Sequence, residues 1–260
     1  MQKIIDKIVP GFIRKGITDY ERQKQIKKYE GNDVLCPICN STFSGFAPFG
    51  IVKRENAQCL NCGSLERHRL LWKYFNDKTD LFGGNKKCRV LHFAPEQCFY
   101  DYFCENKNID YIPCDLYPQI FKYKTKVPIE KVDITNIPFP DNSVDVIICN
   151  YVMNCIPDEQ LALSEMYRVL NKDGWGVFQV PVDLNRKVTY EDFTIVTPLG
   201  RERAFGMSEC VRWYGRDYAE RLMRARFDVV IDDYIRKFSS KELFQYGLMD
   251  SEMIYIGRKS

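Results

Sequence analysis

Asp133 to Val180 reads DITNIPFPDNSVDVIICNYVMNCIPDEQLALSEMYRVLNKDGWGVFQV. Within it, Val144 to Cys149 is apolar and largely β-branched apart from Asp145, and the run stops on the polar Asn150. That is the pattern of a strand covered on both faces, hence of a parallel sheet. Asp158 precedes a segment in which Leu163, Met166, Tyr167 and Leu170 recur at helical spacing, and Gly174 is the expected helix stop. Gly176 to Val180 forms the next strand. Strand, helix, glycine turn and strand make a right-handed crossover unit, and such sheets bind ligands at the carboxyl ends of their strands.

Upstream, Arg89 to Phe93 (RVLHF) predicts a first strand, Pro95 to Asn106 a helix, and Ile109 to Cys114 a second strand ending at Asp115. A short third strand over Lys131 to Ile134 carries Asp133 near its end. Two carboxylates then come from neighbouring strand ends toward one crevice. An acid at the end of the second strand suits both hydroxyls of a ribose, so a ribose-bearing cofactor is favoured. Singly, each aspartate is equally a turn-capping residue.

Taken with these motifs, residues 88 to 181 resemble a class I S-adenosylmethionine-dependent methyltransferase, carried by VLHFAPE, by Asp115, by Asp133, by PFPDNSVDVIICN and by YRVLNKDGWGVFQV. The resemblance implies a Rossmann-like, seven-stranded α/β sheet and S-adenosylmethionine as cofactor. It places the ribose at Asp115, the adenine beside Asp133 and Ile134, and the methionine portion at the first turn and near Asn150. That turn departs from the family pattern. Most members place an acid and a glycine-rich loop there, because glycine permits close backbone approach; here stand His92, Phe93, Ala94, Pro95 and Glu96. Glu96 is the candidate replacement for the missing acid, and His92, Ala94 and Glu96 join the cofactor-binding set.

Cys36-Pro-Ile-Cys39 and Cys59-Leu-Asn-Cys62 are two CxxC pairs. Each turn aims two thiolates at one ion, and four thiolates close a tetrahedral zinc shell with no open catalytic position. A zinc site of this kind stabilises a segment too small to bury its own core. A redox pair is the rival reading. The remaining cysteines, Cys88, Cys98, Cys104, Cys114, Cys149, Cys155 and Cys210, show no pairing pattern and fit a reducing, cytoplasmic compartment. After the second knuckle, Ser64 is placed to cap a helix bearing Leu65, Trp72 and Phe75. The knuckles, the Phe49-Gly50 turn and Ser-Leu-Glu-Arg-His-Arg (64 to 69) resemble a bacterial subset of the same family.

At 260 residues and 45% hydrophobic content, the chain suits one α/β domain (81 to 260) behind a small N-terminal module (1 to 80). No apolar run approaches a membrane span of about 20 residues. The start, MQKIIDKIVPGFIRKG, reads as a docking helix broken at Pro10. Residues 1 to 80 hold 14 Lys and Arg against 9 Asp and Glu. That excess is too small to define a nucleic-acid surface, so RNA is not the favoured partner.

Residues 183 to 218 interrupt the sheet pattern with a polar and aromatic insertion on the acceptor side. Tyr190, Arg201, Arg203, Arg212, Tyr214 and Arg216 are candidate substrate contacts, the guanidinium groups suiting an anionic acceptor or pairing with Glu191, Glu202 or Asp217. Where the resembling subset carries a Glu-His pair and a further histidine, this chain has Asn154-Cys155 and Glu209-Cys210. A hydroxyl acceptor needs a base, and His68, His92 and Glu209 are the candidates. The expectation is methyl transfer to oxygen on a small or glycan-linked acceptor. An RNA methyltransferase and a non-catalytic zinc-stapled binding protein are the alternatives.

Overall fold

A computed structural model of the chain describes residues 22 to 50, 52 to 84, 86 to 121 and 126 to 260. The docking helix expected around Pro10 lies outside the described residues. The chain divides into two compact units: residues up to Tyr74 with Ile235–Ser251, and Phe75–Tyr234 with Glu252–Ser260. Among the described residues no helix is long and apolar enough to cross a membrane.

The larger unit is built on a seven-stranded sheet. Its strands are β1 (Cys88–Phe93), β2 (Ile109–Asp115), β3 (Glu130–Lys131), β4 (Val144–Asn150), β5 (Leu170–Gln179), β6 (Asp228–Asp232) and β7 (Ile254–Arg258), ordered β6-β7-β5-β4-β1-β2-β3. The first five run parallel, while β7 is antiparallel to both of its neighbours. The order reverses between β1 and β4, so their carboxyl ends mark the switch point at which sheets of this kind place a ligand crevice. Burial follows the sequence pattern: Val144, Ile147, Ile148 and Cys149 are fully enclosed. Asp145, the one polar break in that run, accepts the Arg89 N–H at 2.8 Å and the Asn171 amide at 2.7 Å. The exception in the apolar pattern thus holds the entry of β1.

Asp158 caps the helix Glu159–Val169, its side chain accepting from the Leu161 N–H. Ala162, Leu163, Met166 and Val169 pack into the core beneath it. Arg168, on the same helix, clamps the IPFPD loop by donating to the carbonyls of Ile137 and Phe139 and to Asp141, each at 2.8 Å. Two sequence expectations shift. The helix ends at Val169 and not at Gly174; β5 starts at once, and its ladder to β4 slips between Leu170 and Trp175, with Asp173 left-handed (φ 65°). A Cβ on Gly174 would stand 2.8 Å from the Asn171 carbonyl oxygen and 3.0 Å from that of Asp145, so glycine serves the slip and not the helix end. The third strand closes at Lys131, leaving Asp133 in the turn beyond it.

In the insertion, Tyr190–Glu191 pairs antiparallel with Arg212–Trp213, and the helix Pro198–Phe205 starts at a Thr197 cap and stops at left-handed Gly206. The smaller unit contains the hairpin pairs Val34–Leu35 with Thr42–Phe43 and Ala47–Phe49 with Arg54–Gln58. It also holds the start of the helix Glu66–Lys78 and the boxed helix Ser240–Tyr246. Its core is small: Val34, Cys36, Phe43, Phe46, Ala47, Cys59 and Leu60. Arg69 supplements it. This fully buried guanidinium lies 4.1 Å over the Phe46 ring and donates to the carbonyls of Ala57, Ser64, Tyr246 and Gly247.

Candidate active site and thiol cluster

The crevice begins where β1 ends. Ala94 takes a left-handed conformation (φ 48°), and its N–H donates to the Cys114 carbonyl at 2.9 Å. The backbone therefore makes the bend a glycine would favour, with only a methyl added. Glu96 stands at the N-cap of the helix Gln97–Phe103 in an extended conformation, yet its side chain caps nothing there. Its carboxylate points elsewhere: Oε2 lies 2.9 Å from His92 Nε2, and Oε1 accepts from the Asn150 amide.

His92 is fully buried, with Nδ1 3.0 Å from the Tyr111 hydroxyl. Since a carboxylate only accepts, Nε2 is the donor to Glu96. Burial pushes the Tyr111 phenol well above its ordinary pKa, so it remains a donor. The chain Tyr111, His92, Glu96, Asn150 then runs from inside the sheet to the end of β4. It leaves one group over: Asn150 Oδ1 is buried with no hydrogen-bond partner in the protein. A buried acceptor left without a donor carries a desolvation cost until a donor from outside the protein meets it.

Asp115 is half-buried at the end of β2, where Oδ1 accepts the Tyr117 N–H at 2.7 Å. The Val132 N–H donates to the Asp115 carbonyl at 3.0 Å, which brings the Asp133 turn beside it. Asp133 is exposed and folds an Asx turn, accepting from the Thr135 N–H at 2.9 Å and hydroxyl at 2.6 Å. The Thr135 hydroxyl and N–H hold its carboxyl below the ordinary value. Ile134 is buried next to it. Ala94, Glu96, Asn150 and Asp115 thus gather around the ends of β1, β4 and β2, with Asp133 on the far side.

The other candidates are distributed differently. Arg212 is buried and donates to Glu191 and to the carbonyls of Met153, Ile156 and Pro157. Tyr214 is buried too, its hydroxyl 2.8 Å from Glu159 Oε1. Both hold the insertion to the sheet. Arg201 donates to the Ile195 carbonyl at 3.0 Å, while Arg203 and Arg216 are exposed. Tyr190 is 39% exposed and stacks near Phe205. Glu209 is exposed and accepts from the Ser208 hydroxyl. His68 belongs to the smaller unit, where Nδ1 accepts the Leu65 N–H at 3.1 Å. The sequence reading passed over Tyr111 and Arg221. A tyrosine in an otherwise apolar strand is a signal, because its buried hydroxyl needs a partner; Arg221 pairs with the buried Glu159 at 2.6 Å across 62 positions, which no local pattern announces.

In the smaller unit the Sγ atoms of Cys36, Cys39, Cys59 and Cys62 all lie within 4.8 Å of one another. Cys36 is 3.6 Å from Cys62 and Cys39 3.6 Å from Cys59. Four sulfurs at about 2.3 Å from one zinc ion stand roughly 3.8 Å apart, so the spacing fits that ion. The two knuckles share one backbone plan: Cys36 N–H donates to the Ser41 carbonyl and receives Asn40 N–H, as Cys59 does with Ser64 and Gly63, all at 2.9 Å. Asn40 and Gly63 are both left-handed.

Residues 99 to 178 match the methyltransferase-domain family. No curated protein matches the sequence. Among solved structures, the chain is similar to an S-adenosylmethionine-dependent methyltransferase from Mesorhizobium loti, at 13% identity over 73% of this chain and 98% of that one, with a TM-score of 0.49. It is also similar to a SAM-dependent methyltransferase from Archaeoglobus fulgidus, at 15% identity over 73% and 93%, with a TM-score of 0.47.

Proposed function

We propose, from the match of residues 99 to 178 to the methyltransferase-domain family, that the crevice binds S-adenosylmethionine and that the methyl group passes to an oxygen of a small or glycan-linked acceptor. The observation that carries the cofactor half is the buried, unpartnered Asn150 Oδ1 beside the Glu96 carboxylate. An acceptor atom and a carboxylate at one strand end suit the ammonium of the methionine portion. Asp115 would take the ribose through the oxygen that Tyr117 leaves unused, with Ile134 and Asp133 beside the adenine. When bound, the cofactor supplies an activated methyl on a sulfonium with a good leaving group. The protein's part is alignment, with reacting atoms near 3 Å, and exclusion of water.

Support for a small acceptor over RNA comes from the insertion. Within it Arg212 is engaged by Glu191, while Val188, Phe193, Val196 and Leu199 are exposed. Those apolar side chains are interleaved with the exposed Arg186, Lys187, Arg203 and Arg216, a mixed surface that differs from the dense basic stripe a phosphate backbone needs. The Cys36, Cys39, Cys59 and Cys62 cluster we assign to a structural zinc ion, on the 3.6 Å sulfur spacing and the matched knuckle turns. The test is incubation with labelled cofactor and a panel of sugars, nucleotide-sugars and RNA. Label on a hydroxylated small acceptor is expected, and label on RNA alone overturns the reading.

A further inference from the structure

Cys155 and Cys210 are far apart in sequence, but their sulfurs lie 3.5 Å apart beside the crevice. Cys155 ends the short turn Met153–Cys155 that follows β4, and Cys210 precedes the insertion strand Arg212–Trp213. The residues next to them are joined, Val211 N–H donating to the Asn154 carbonyl at 3.0 Å. The Asn154 amide also donates to Cys210 Sγ at 2.8 Å. Cys155 is partly exposed and Cys210 is buried behind it, so an oxidant approaches the pair from the Cys155 side. We propose that Cys155 and Cys210 form an oxidant-sensitive thiol pair that closes reversibly to a disulfide and ties the turn after β4 to the acceptor-side insertion.

The geometry requires little movement, since a disulfide brings the sulfurs to about 2.05 Å, a shift of roughly 1.5 Å shared between two short loops. The Asn154 amide donor favours a thiolate on Cys210. The hydrogen bond from Cys155 and then that from Asn154 hold the Cys210 thiol below its ordinary pKa, while the same contact pushes Cys155 up. The oxidant is hydrogen peroxide. The Cys210 thiolate attacks one peroxide oxygen, the O–O bond breaks and hydroxide leaves, giving a sulfenic acid on Cys210. Cys155 sulfur then displaces that oxygen as water after losing its proton, and the S–S bond forms. Two thiols give up two electrons, and one peroxide becomes two waters. A dithiol reverses the exchange. Three other thiols are set against this chemistry: burial pushes Cys88 up to about 12, and raises Cys114 and Cys149 as well.

The inference does not depend on the transfer reaction, and its test needs no acceptor. The full-length protein is treated with limiting hydrogen peroxide, alkylated, digested without reductant and mapped by mass spectrometry. The expected result is a Cys155–Cys210 linked peptide that disappears with dithiothreitol. In Cys155→Ser, a dimedone adduct on Cys210 is expected in its place. Cys155 and Cys210 both remaining alkylatable after Cys88 has oxidised overturns the proposal, as does linkage of either to a different cysteine, or no adduct on Cys210 in the variant.

Discussion

The Asn150 side-chain amide donates to the Glu96 carboxylate, joining the end of β4 to the turn after β1. This bond fixes which way the amide faces. Its nitrogen is held by Glu96, so its oxygen is the buried atom left without a partner in the protein. A glycine-poor first turn can therefore still present an acid and an acceptor, with His92 on the opposite side of Glu96 as the group that positions it.

Glu96→Gln tests that arrangement. A neutral amide keeps the size and loses both the charge and one acceptor, against His92 and Asn150. A hydrogen bond to a charged group contributes about 1.5–3 kcal/mol, so affinity for S-adenosylmethionine should fall on the order of tenfold to a hundredfold in calorimetry. Unchanged affinity would show that Glu96 does not hold the methionine ammonium.

Arg168 and Glu165 give a pH-dependent prediction. Glu165 accepts from Arg168 at 2.7 Å and from the Ile137 N–H at 2.9 Å, and the Arg168 guanidinium is what chiefly holds its carboxyl below the ordinary value. A depressed folded pKa contributes stability above the unfolded value, about 4.3, and that contribution is lost as pH falls through the folded one. Glu165→Gln should melt below wild type at neutral pH, and the gap should narrow as the pH drops below about 4. Arg168→Ala removes the clamp on Ile137, Phe139 and Asp141 as well and should cost about 3 kcal/mol in a denaturant titration. A pH-independent gap for Glu165→Gln would remove the ion pair from this account.

How far the sequence carries depends on whether an interaction is local. The parallel sheet was legible because Val144 to Asn150 must be buried on both faces, and Asp158 announced its helix because an N-cap acts within three residues. Gly174 misled as a helix stop since its real constraint is a close approach to Asn171 and Asp145, which only the ladder slip creates. The placement of Arg212 could be read from sequence as either ligand contact or ion pair. Deciding required three carbonyls from the turn after β4, and a carbonyl has no sequence signature. Likewise, the packing of Ile235–Ser251 with the N-terminal unit rests on Tyr246 and Gly247 carbonyls bound by Arg69, more than 170 positions away.

Gly215 should resist substitution although its backbone is unstrained. A Cβ there would stand 2.7 Å from the Val188 carbonyl carbon and 2.9 Å from the Arg186 oxygen, both backbone atoms that cannot swing aside. Gly215→Ala should lose about 2 kcal/mol through overpacking. Limited proteolysis should then cut between residues 183 and 197 faster than in wild type. Equal cleavage rates would mean that the 186 to 189 segment moves away without cost.

Arg69 offers the sharpest test of the smaller unit. Its guanidinium serves four carbonyls, and one of them, Ser64, also receives the Cys59 N–H that shapes the second knuckle. Arg69→Met keeps much of the volume over Phe46 but leaves those carbonyls without their donor, so stability should fall by at least about 3 kcal/mol. With the zinc ion proposed for the four cysteines, binding and folding would be linked in a module with so small a core, so the same change should weaken retention of the metal against a chelator. Stoichiometric zinc in the wild type, released together with loss of folded signal on chelation, is the expected result by emission spectrometry and circular dichroism. If Arg69→Met holds its zinc as tightly as wild type, the second knuckle does not depend on this guanidinium, and the coupling drawn through Ser64 fails.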